Sequence, residues 1–358
     1  MYSRRGVREQ RAAGGLVRKV LIPGTDIATS ALAFGCAGLF REPTQSARMR
    51  LLDIALDNGV QHFDTSPIYG FGLSERELGQ FARGRRDQIT IATKFGIQPT
   101  RVGAAAGRMQ APIRRLLARA PGLDSRARSE AASPDSGPAG SLLYRADGFD
   151  AGVARRSLEA SLRRLGTDYV DIYLIHEPSV GAIEGDDLRA YLDGARTSGL
   201  IRGWGAAGET PSIDAALGSL GDSIPILQMP LDFSALARVT APRGFGPARN
   251  FYRVLGSPVA RIIHYLGGDP DRSARWRTQV GANCLDPEVL ARMVLLTAAN
   301  SQPESLLLFT SIRQSHIVSA ARALTANADA SVGDGDEQAF AALLAAEHHE
   351  IFGERSRR

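Results

Sequence analysis

Apolar residues along this chain form two alternating kinds of cluster. Short runs rich in Ile, Val, Leu and aromatics occupy 31–35 (ALAFG), 60–64 (VQHFD), 89–93 (ITIAT), 169–175 (YVDIYLI), 201–206 (IRGWGA), 224–229 (IPILQM), 250–254 (NFYRV) and 305–309 (SLLLF), and predict eight strands. Between them, apolar side chains recur every three or four residues, as Leu51, Ile54 and Ala55 do, and predict helices over 45–58, 74–83, 152–165, 185–198, 211–219, 286–300 and 314–325. Strands that alternate with amphipathic helices define an α/β fold. Eight strands, and no Gly-x-Gly-x-x-Gly loop after the first, favour a closed (β/α)8 TIM barrel over a doubly wound sheet. The nearest phosphate-loop decoy, Gly70-Phe-Gly72, lacks the third glycine and reads as a turn before the next helix.

The rhythm is interrupted in a few places. Residues 1–15 read as a polar arm. Residues 16–30 read as a β-hairpin, because LVRKVLI and IATSALAF flank a Pro-Gly-Thr-Asp turn. A Pro/Gly/Ala/Arg-rich insertion fills 97–149, directly after the third strand, and a second one fills 232–249. The reading is therefore an arm (1–15), a barrel (16–330) and a C-terminal helix with tail (331–358). The helix is expected over 335–352, with His348 and His349 solvated.

Composition narrows the class. A length of 358 residues suits one barrel with long loop insertions, and 44% hydrophobic with 23% charged residues excludes global disorder and a coiled coil. A net charge of +5, with basic and acidic residues interspersed, gives no reason to expect a nucleic-acid partner. Two cysteines, Cys36 and Cys284, supply neither a disulfide framework nor metal-ligand spacing, so no metal is expected and a reducing compartment fits. No leader-like apolar segment and no 18-residue apolar window occur, so the expectation is a cytoplasmic protein without a membrane partner. Of the 43 basic residues only Lys19 and Lys94 are lysine.

In such a barrel the C-terminal ends of the strands converge on one mouth. The second strand ends at Asp64, with Tyr69 in the loop after it, the third at Lys94 and the fourth at His176. Singly, each has an ordinary structural role open to it: a cap, a packing ring, a solvated end, a core imidazole. Together they form a proton-donating set, because a cation beside a phenol stabilises its anion and a carboxylate holds that cation in place.

The runs FDTSPIYGFGLSERELG (63–79), IATKFG (91–96) and SLRRLGTDYVDIYLIHEP (161–178) resemble the aldo-keto reductase family. The resemblance implies a barrel that binds NADPH, with NADH as the other possibility, and reduces an aldehyde, ketone, aldose or lactol to an alcohol, or the reverse. It implies that Tyr69 is the general acid, that Lys94 lowers its pKa, that Asp64 pairs with Lys94 and that His176 orients the carbonyl. It further implies that Gln228, Tyr252, Leu255 and Ser257 contact the nicotinamide and pyrophosphate, and Ser311, Arg313 and His316 the adenosine end. Two departures stand out: Ala207-Gly208 replaces a Ser-Asn pair expected after the fifth strand, and Ser319-Ala320 replaces a Glu-Asn pair after the eighth. They motivate an alternative, a catalytically weak dinucleotide-binding sensor or accessory subunit on the same barrel. Leu39, Phe40, Tyr69 and either Trp204 or Phe233 are candidates for an apolar pocket wall, Trp204 also reading as ordinary packing. The 97–149 segment is a lid or a tolerated insertion, and oligomeric state is open.

Overall fold

A computed structural model describes residues 17–100, 102–103, 143–179, 181–183, 185–221, 224–233, 236, 247–325 and 336–353. The arm expected at 1–15 and most of the two insertions lie outside the described residues. The chain enters through an antiparallel hairpin, β1 (Lys19–Leu21) and β2 (Ala28–Ser30), with Lys19 opposite Ser30. Eight parallel strands then close into a barrel: β3 (Leu32–Gly35), β4 (His62–Asp64), β5 (Thr90–Phe95), β8 (Val170–His176), β9 (Ile201–Ala207), β10 (Ile226–Pro230), β11 (Ala248–Tyr252) and β12 (Leu306–Phe309). They neighbour one another in that order, and β12 returns to β3 through Leu307↔Leu32 and Phe309↔Phe34. This is the (β/α)8 fold that the alternation predicts. The seventh strand begins and ends two residues earlier than expected, and its end falls where Arg253 turns out of the extended region at φ 55°. A separate antiparallel ribbon, β6 (Ile97–Pro99) with β7 (Tyr144–Ala146), pairs the two ends of the first insertion beside the barrel mouth.

Helices α1 (Gln45–Asp57), α2 (Leu73–Ala82), α3 (Ala151–Leu165), α4 (Gly185–Thr197) and α5 (Thr210–Leu220) follow the barrel strands β3, β4, β5, β8 and β9 in turn. Their starts follow local chemistry: Thr44 and Asp150 accept from the backbone amides of Ala47 and Val153, and a left-handed Gly166 ends α3. Between β11 and β12 the sequence pattern predicts one helix and the structure has three, α6 (Ser257–Gly267), α7 (Pro270–Val280) and α8 (Pro287–Ser301). The extra two start with Pro in the first turn, and α7 buries only Trp276 and Val280, too few positions to leave a clear periodicity. After α9 (Gln314–Ala323), the single helix expected over 335–352 is split into α10 (Glu337–Ala346) and α11 (His348–Phe352). The break falls at Glu347, whose carboxylate accepts hydrogen bonds from Tyr265 Oη and Trp276 Nε1.

Two apolar layers result. One lies between strands and helices. The other lies inside the barrel, where Ala33, Ala92, Ile172, Leu174, Ile226 and Leu306 meet Val20, Ile22 and Ile27 of the hairpin, which thus plugs the barrel floor. Functional groups are left to the opposite, C-terminal end. Among the described residues no helix is long and apolar enough to cross a membrane.

Candidate active site

Parallel register brings the polar strand ends together. Asp64 pairs in register with Gly35 and Ala92, Lys94 with Leu174, His176 with Ala207, and Ala207 with Gln228. After β4 the chain makes a tight left-handed turn at Gly70, Phe71 and Gly72, with φ between 57° and 84°, and this turn carries Tyr69 back over the mouth. Glycine makes two of those three conformations cheap.

Lys94 is 1% exposed and Asp64 2%. The ammonium donates to both carboxylate oxygens of Asp64, at 2.7 and 2.8 Å, and to the Thr65 carbonyl at 3.0 Å. Its Nζ lies 5.1 Å from the centre of the Tyr69 ring. The Tyr69 and His176 rings stand edge to face, with centroids 6.3 Å apart, and Ser66 Oγ sits 3.4 Å from His176 Nδ1. The four predicted residues of the set therefore meet, although they come from three strands and a loop.

Electrostatics assigns their states. Burial pushes the Tyr69 phenol up, and the opposing pull of Lys94 does not overcome it, so the phenol is held protonated at neutral pH. Lys94 acts in the expected direction, downward, through its charge and a hydrogen bond, and burial outweighs it. Burial also acts to lower Lys94, but Asp64 and Tyr69 more than compensate and keep it charged. His176 is held well below the ordinary imidazole value by burial and then by Lys94, so it is neutral. A partly buried donor phenol, a fixed ammonium and a neutral imidazole can deliver a proton to an oxygen placed between them.

These groups line a cavity of about 750 Å3 at the barrel mouth. Of the other predicted contacts, Gln228, Tyr252 and Leu255 line it too. A second, largely apolar cavity of about 300 Å3, between α6, α8 and α9, shares Leu255 and Gly256 with the first and contains His316 and Ala320. Ser257 faces a different groove, between α6 and α11. Ser311 and Arg313 line neither cavity, the Ser311 hydroxyl instead accepting from the Arg313 amide at the start of α9. The expected apolar wall needs correction. Trp204 points outward and donates to Asp193 of α4 at 3.0 Å, Phe233 stacks on Phe352, and Phe40 lies under the Arg48 guanidinium, while Leu39 is fully buried in the outer core. Of that group only Tyr69 lines the cavity, where Ile68, Ile97 and Phe309 supply apolar surface instead.

Among the lining residues that the sequence did not single out are three polar ones beside the ends of β8 and β9: Glu177, Glu209 and Ser212. Glu177 directly follows His176 and takes φ 50°, a conformation unusual for a residue with a side chain. Its carboxylate accepts from the Glu209 amide at 3.1 Å and from Ser212 Oγ at 2.9 Å. The signal available in the sequence was its place one residue beyond a polar strand end.

A closed parallel barrel whose C-terminal mouth gathers a phenol, an ammonium–carboxylate pair and a neutral imidazole defines a barrel protein equipped for proton transfer to a small ligand. The family model of the aldo/keto reductase family matches residues 31–122 and 145–244, and the chain belongs to that family. The matched segments contain Asp64, Tyr69, Lys94, His176 and Gln228 and stop before Tyr252. A D-threo-aldose 1-dehydrogenase from Pseudomonas sp is 30% identical over 185 residues, 50% of this chain and 50% of that protein. An NADH-specific methylglyoxal reductase from Escherichia coli (strain K12) is 28% identical over 200 residues, 53% and 52% of the two chains. The chain thus spans about half the length of these curated relatives. An aldo-keto reductase from Klebsiella pneumoniae, solved in complex with NADPH, shares the fold with a TM-score of 0.57 at 17% identity, over 96% of this chain and 97% of its own.

Proposed function

We propose that this chain is a nicotinamide-dependent oxidoreductase that interconverts a carbonyl and an alcohol, with Tyr69 as the proton donor and acceptor. The observation that carries the reading is the Lys94 ammonium, fixed on Asp64 beside the Tyr69 phenol and the neutral His176 ring. A carbonyl oxygen seated between Tyr69 and His176 gains negative charge as it is reduced, and the phenol delivers a proton to it. Lys94 stabilises the phenolate left behind, and Asp64 keeps Lys94 charged and in place. His176, being neutral, orients the oxygen by hydrogen bonding without adding a second positive charge.

The residues present fit a dinucleotide. Two cavities joined at Leu255 and Gly256 give an extended trough, polar at the catalytic end and apolar beyond it. Gln228 and Tyr252 would hold the nicotinamide, Leu255 the linker, and the cavity with His316 the adenosine. The bound cofactor supplies or takes up hydride, and the protein supplies orientation and proton transfer. Arg292 and His316 in the second cavity support NADPH, with NADH as the alternative. A small aldehyde, ketone, aldose or lactol suits the space above Tyr69.

Titration with NADPH and with NADH, followed by a screen of carbonyls and sugars with wild type and Tyr69→Phe, tests the reading. Turnover that survives Tyr69→Phe overturns the mechanism. Cofactor binding with no turnover on any carbonyl or alcohol favours the sensor or accessory alternative, for which the Ala207-Gly208 replacement speaks.

A further inference from the structure

Phe71 stands where a glycine would be easier. It is the middle of three consecutive left-handed residues, between Gly70 at φ 58° and Gly72 at φ 84°, and takes φ 57° and ψ 43°. Sterics disfavour that region for a bulky side chain, so such a residue persists only where its surroundings hold it. Two aromatic rings hold this turn. A Cβ at Gly70 would lie 2.5 Å from ring carbons of Phe40, so the turn rests directly on that ring, which is itself covered by the Arg48 guanidinium. Phe71 puts its own ring, 8% exposed, against Tyr144, with centroids 5.2 Å apart and planes within 8° of parallel.

Tyr144 belongs to β7, and the β6–β7 ribbon is tied to the barrel close to the ammonium. The Asp147 amide donates to the carbonyl of Gly96, two residues after Lys94, at 2.7 Å, and Gln98 Nε2 donates to Ser157 Oγ of α3 at 2.8 Å. Ile68, Phe71 and Tyr144 form one buried apolar cluster, against which Tyr69, Ile97 and Leu143 pack. The base of the first insertion thus joins the strand that carries Lys94 to the turn that carries Tyr69.

We infer that Tyr144 is a positioning residue: by stacking on Phe71 it holds the left-handed turn, and with it the Tyr69 phenol, in place beside Lys94 and His176. This role rests on Tyr69 being the proton donor proposed above, and it gives the base of the first insertion a task in the reaction.

Reduction of propanal, benzaldehyde, cyclohexanone and D-xylose with NADPH and with NADH is compared for wild type, Tyr144→Ala, Tyr144→Phe and Phe71→Leu, each also in a Tyr69→Phe background. A reacting group misplaced by about 1 Å costs about 100-fold in rate. Tyr144→Ala and Phe71→Leu, which loosen the turn without removing the phenol, are expected to lose about tenfold or more in kcat, with the cofactor dissociation constant unchanged. Tyr144→Phe keeps the stack and is expected to retain wild-type kcat. In the Tyr69→Phe background Tyr144→Ala is expected to cost nothing further, because the group it positions is gone, whereas a loss of folded protein lowers turnover by the same factor in both backgrounds. Phe71→Leu keeps an apolar side chain in the cluster and carries the test should Tyr144→Ala fold poorly. Wild-type kcat in both variants, an equal loss in both backgrounds, a loss in Tyr144→Phe as large as in Tyr144→Ala, or failure of both Tyr144→Ala and Phe71→Leu to fold overturns the inference alone. Turnover that survives Tyr69→Phe, or no turnover of any of the four carbonyl compounds by wild type, overturns the catalytic reading, and the inference with it.

Discussion

Lys94 donates to both carboxylate oxygens of Asp64 from a position shut off from solvent. A pair buried this deeply differs from a surface pair such as Arg85–Asp53, where both partners are substantially exposed. Breaking a buried pair by neutralising one member leaves the other without compensation, which costs about 3–5 kcal/mol, against ~0–1 kcal/mol for an exposed pair. Asp64→Asn is therefore expected to lower unfolding free energy by several kcal/mol and Asp53→Asn to leave it nearly unchanged, as measured by urea denaturation.

Replacing the phenol or the ammonium addresses chemistry. Tyr69→Phe removes the proton donor but keeps the ring, and the expected outcome is a loss of turnover of about 100-fold or more with cofactor affinity retained. Lys94→Arg keeps the charge but puts a broad guanidinium into a slot that holds a compact ammonium. It is expected to lose most carbonyl reduction, whereas Lys19→Arg, on an exposed position of the hairpin, leaves it unchanged. Steady-state kinetics on one batch of the three variants settles the comparison.

The pH dependence of stability has an identifiable contributor below neutrality. Burial holds His62, on the barrel interior, down to about 4 from the ordinary 6.5. Its Nδ1 and the Thr90 hydroxyl share a hydrogen bond at 2.8 Å. Between those two pH values the unfolded chain binds a proton that the folded chain does not, so stability falls as pH drops from 6.5 to 4. The share of His62 is about 3 kcal/mol. His176 acts in the same direction. Unfolding free energies at pH 7, 5.5 and 4 are expected to fall less steeply for His62→Gln than for wild type, and parallel curves would contradict the assignment.

Trp204 separates packing from recognition. With its indole donating to Asp193 on the outer side of the barrel, Trp204→Phe is expected to cost about 1–3 kcal/mol of stability. KM for cofactor and substrate should not move. A change in KM with unchanged stability would place the side chain at the ligand after all.

Much of the fold was legible because most barrel strands are short, largely apolar runs, and because each polar residue of the candidate set stands at or just after the end of one. What stayed hidden has physical reasons. Helix α7 buries only Trp276 and Val280, so its sequence reads as polar loop. Trp204 alternates outward from the barrel, and the pattern along a strand buried on both faces does not say which side is which. Glu177 acquires its place from the Glu209 amide and the Ser212 hydroxyl beyond the next strand, a relation that spacing within either segment does not reveal. At the barrel mouth, Asp64, Tyr69, Lys94 and His176 were readable as a set, while Ser257, Ser311 and Arg313 were not separable from residues that line the cavities.

The ring closes through β12 and β3, whose paired residues Leu307 and Leu32 stand at opposite ends of the barrel sequence. The same seam is tied by the Arg18 amide to the Leu324 carbonyl and by the Val17–Thr325 bridge. Contacts between such distant segments cost more loop-closure entropy than local ones. A chain emerging in order from the ribosome thus presents Asp64, Tyr69, Lys94 and His176 well before the final wall, with Phe309 and Thr310, is made. Joining that seam completes the ring inside which the Lys94 ammonium and the Asp64 carboxylate are shut off from water.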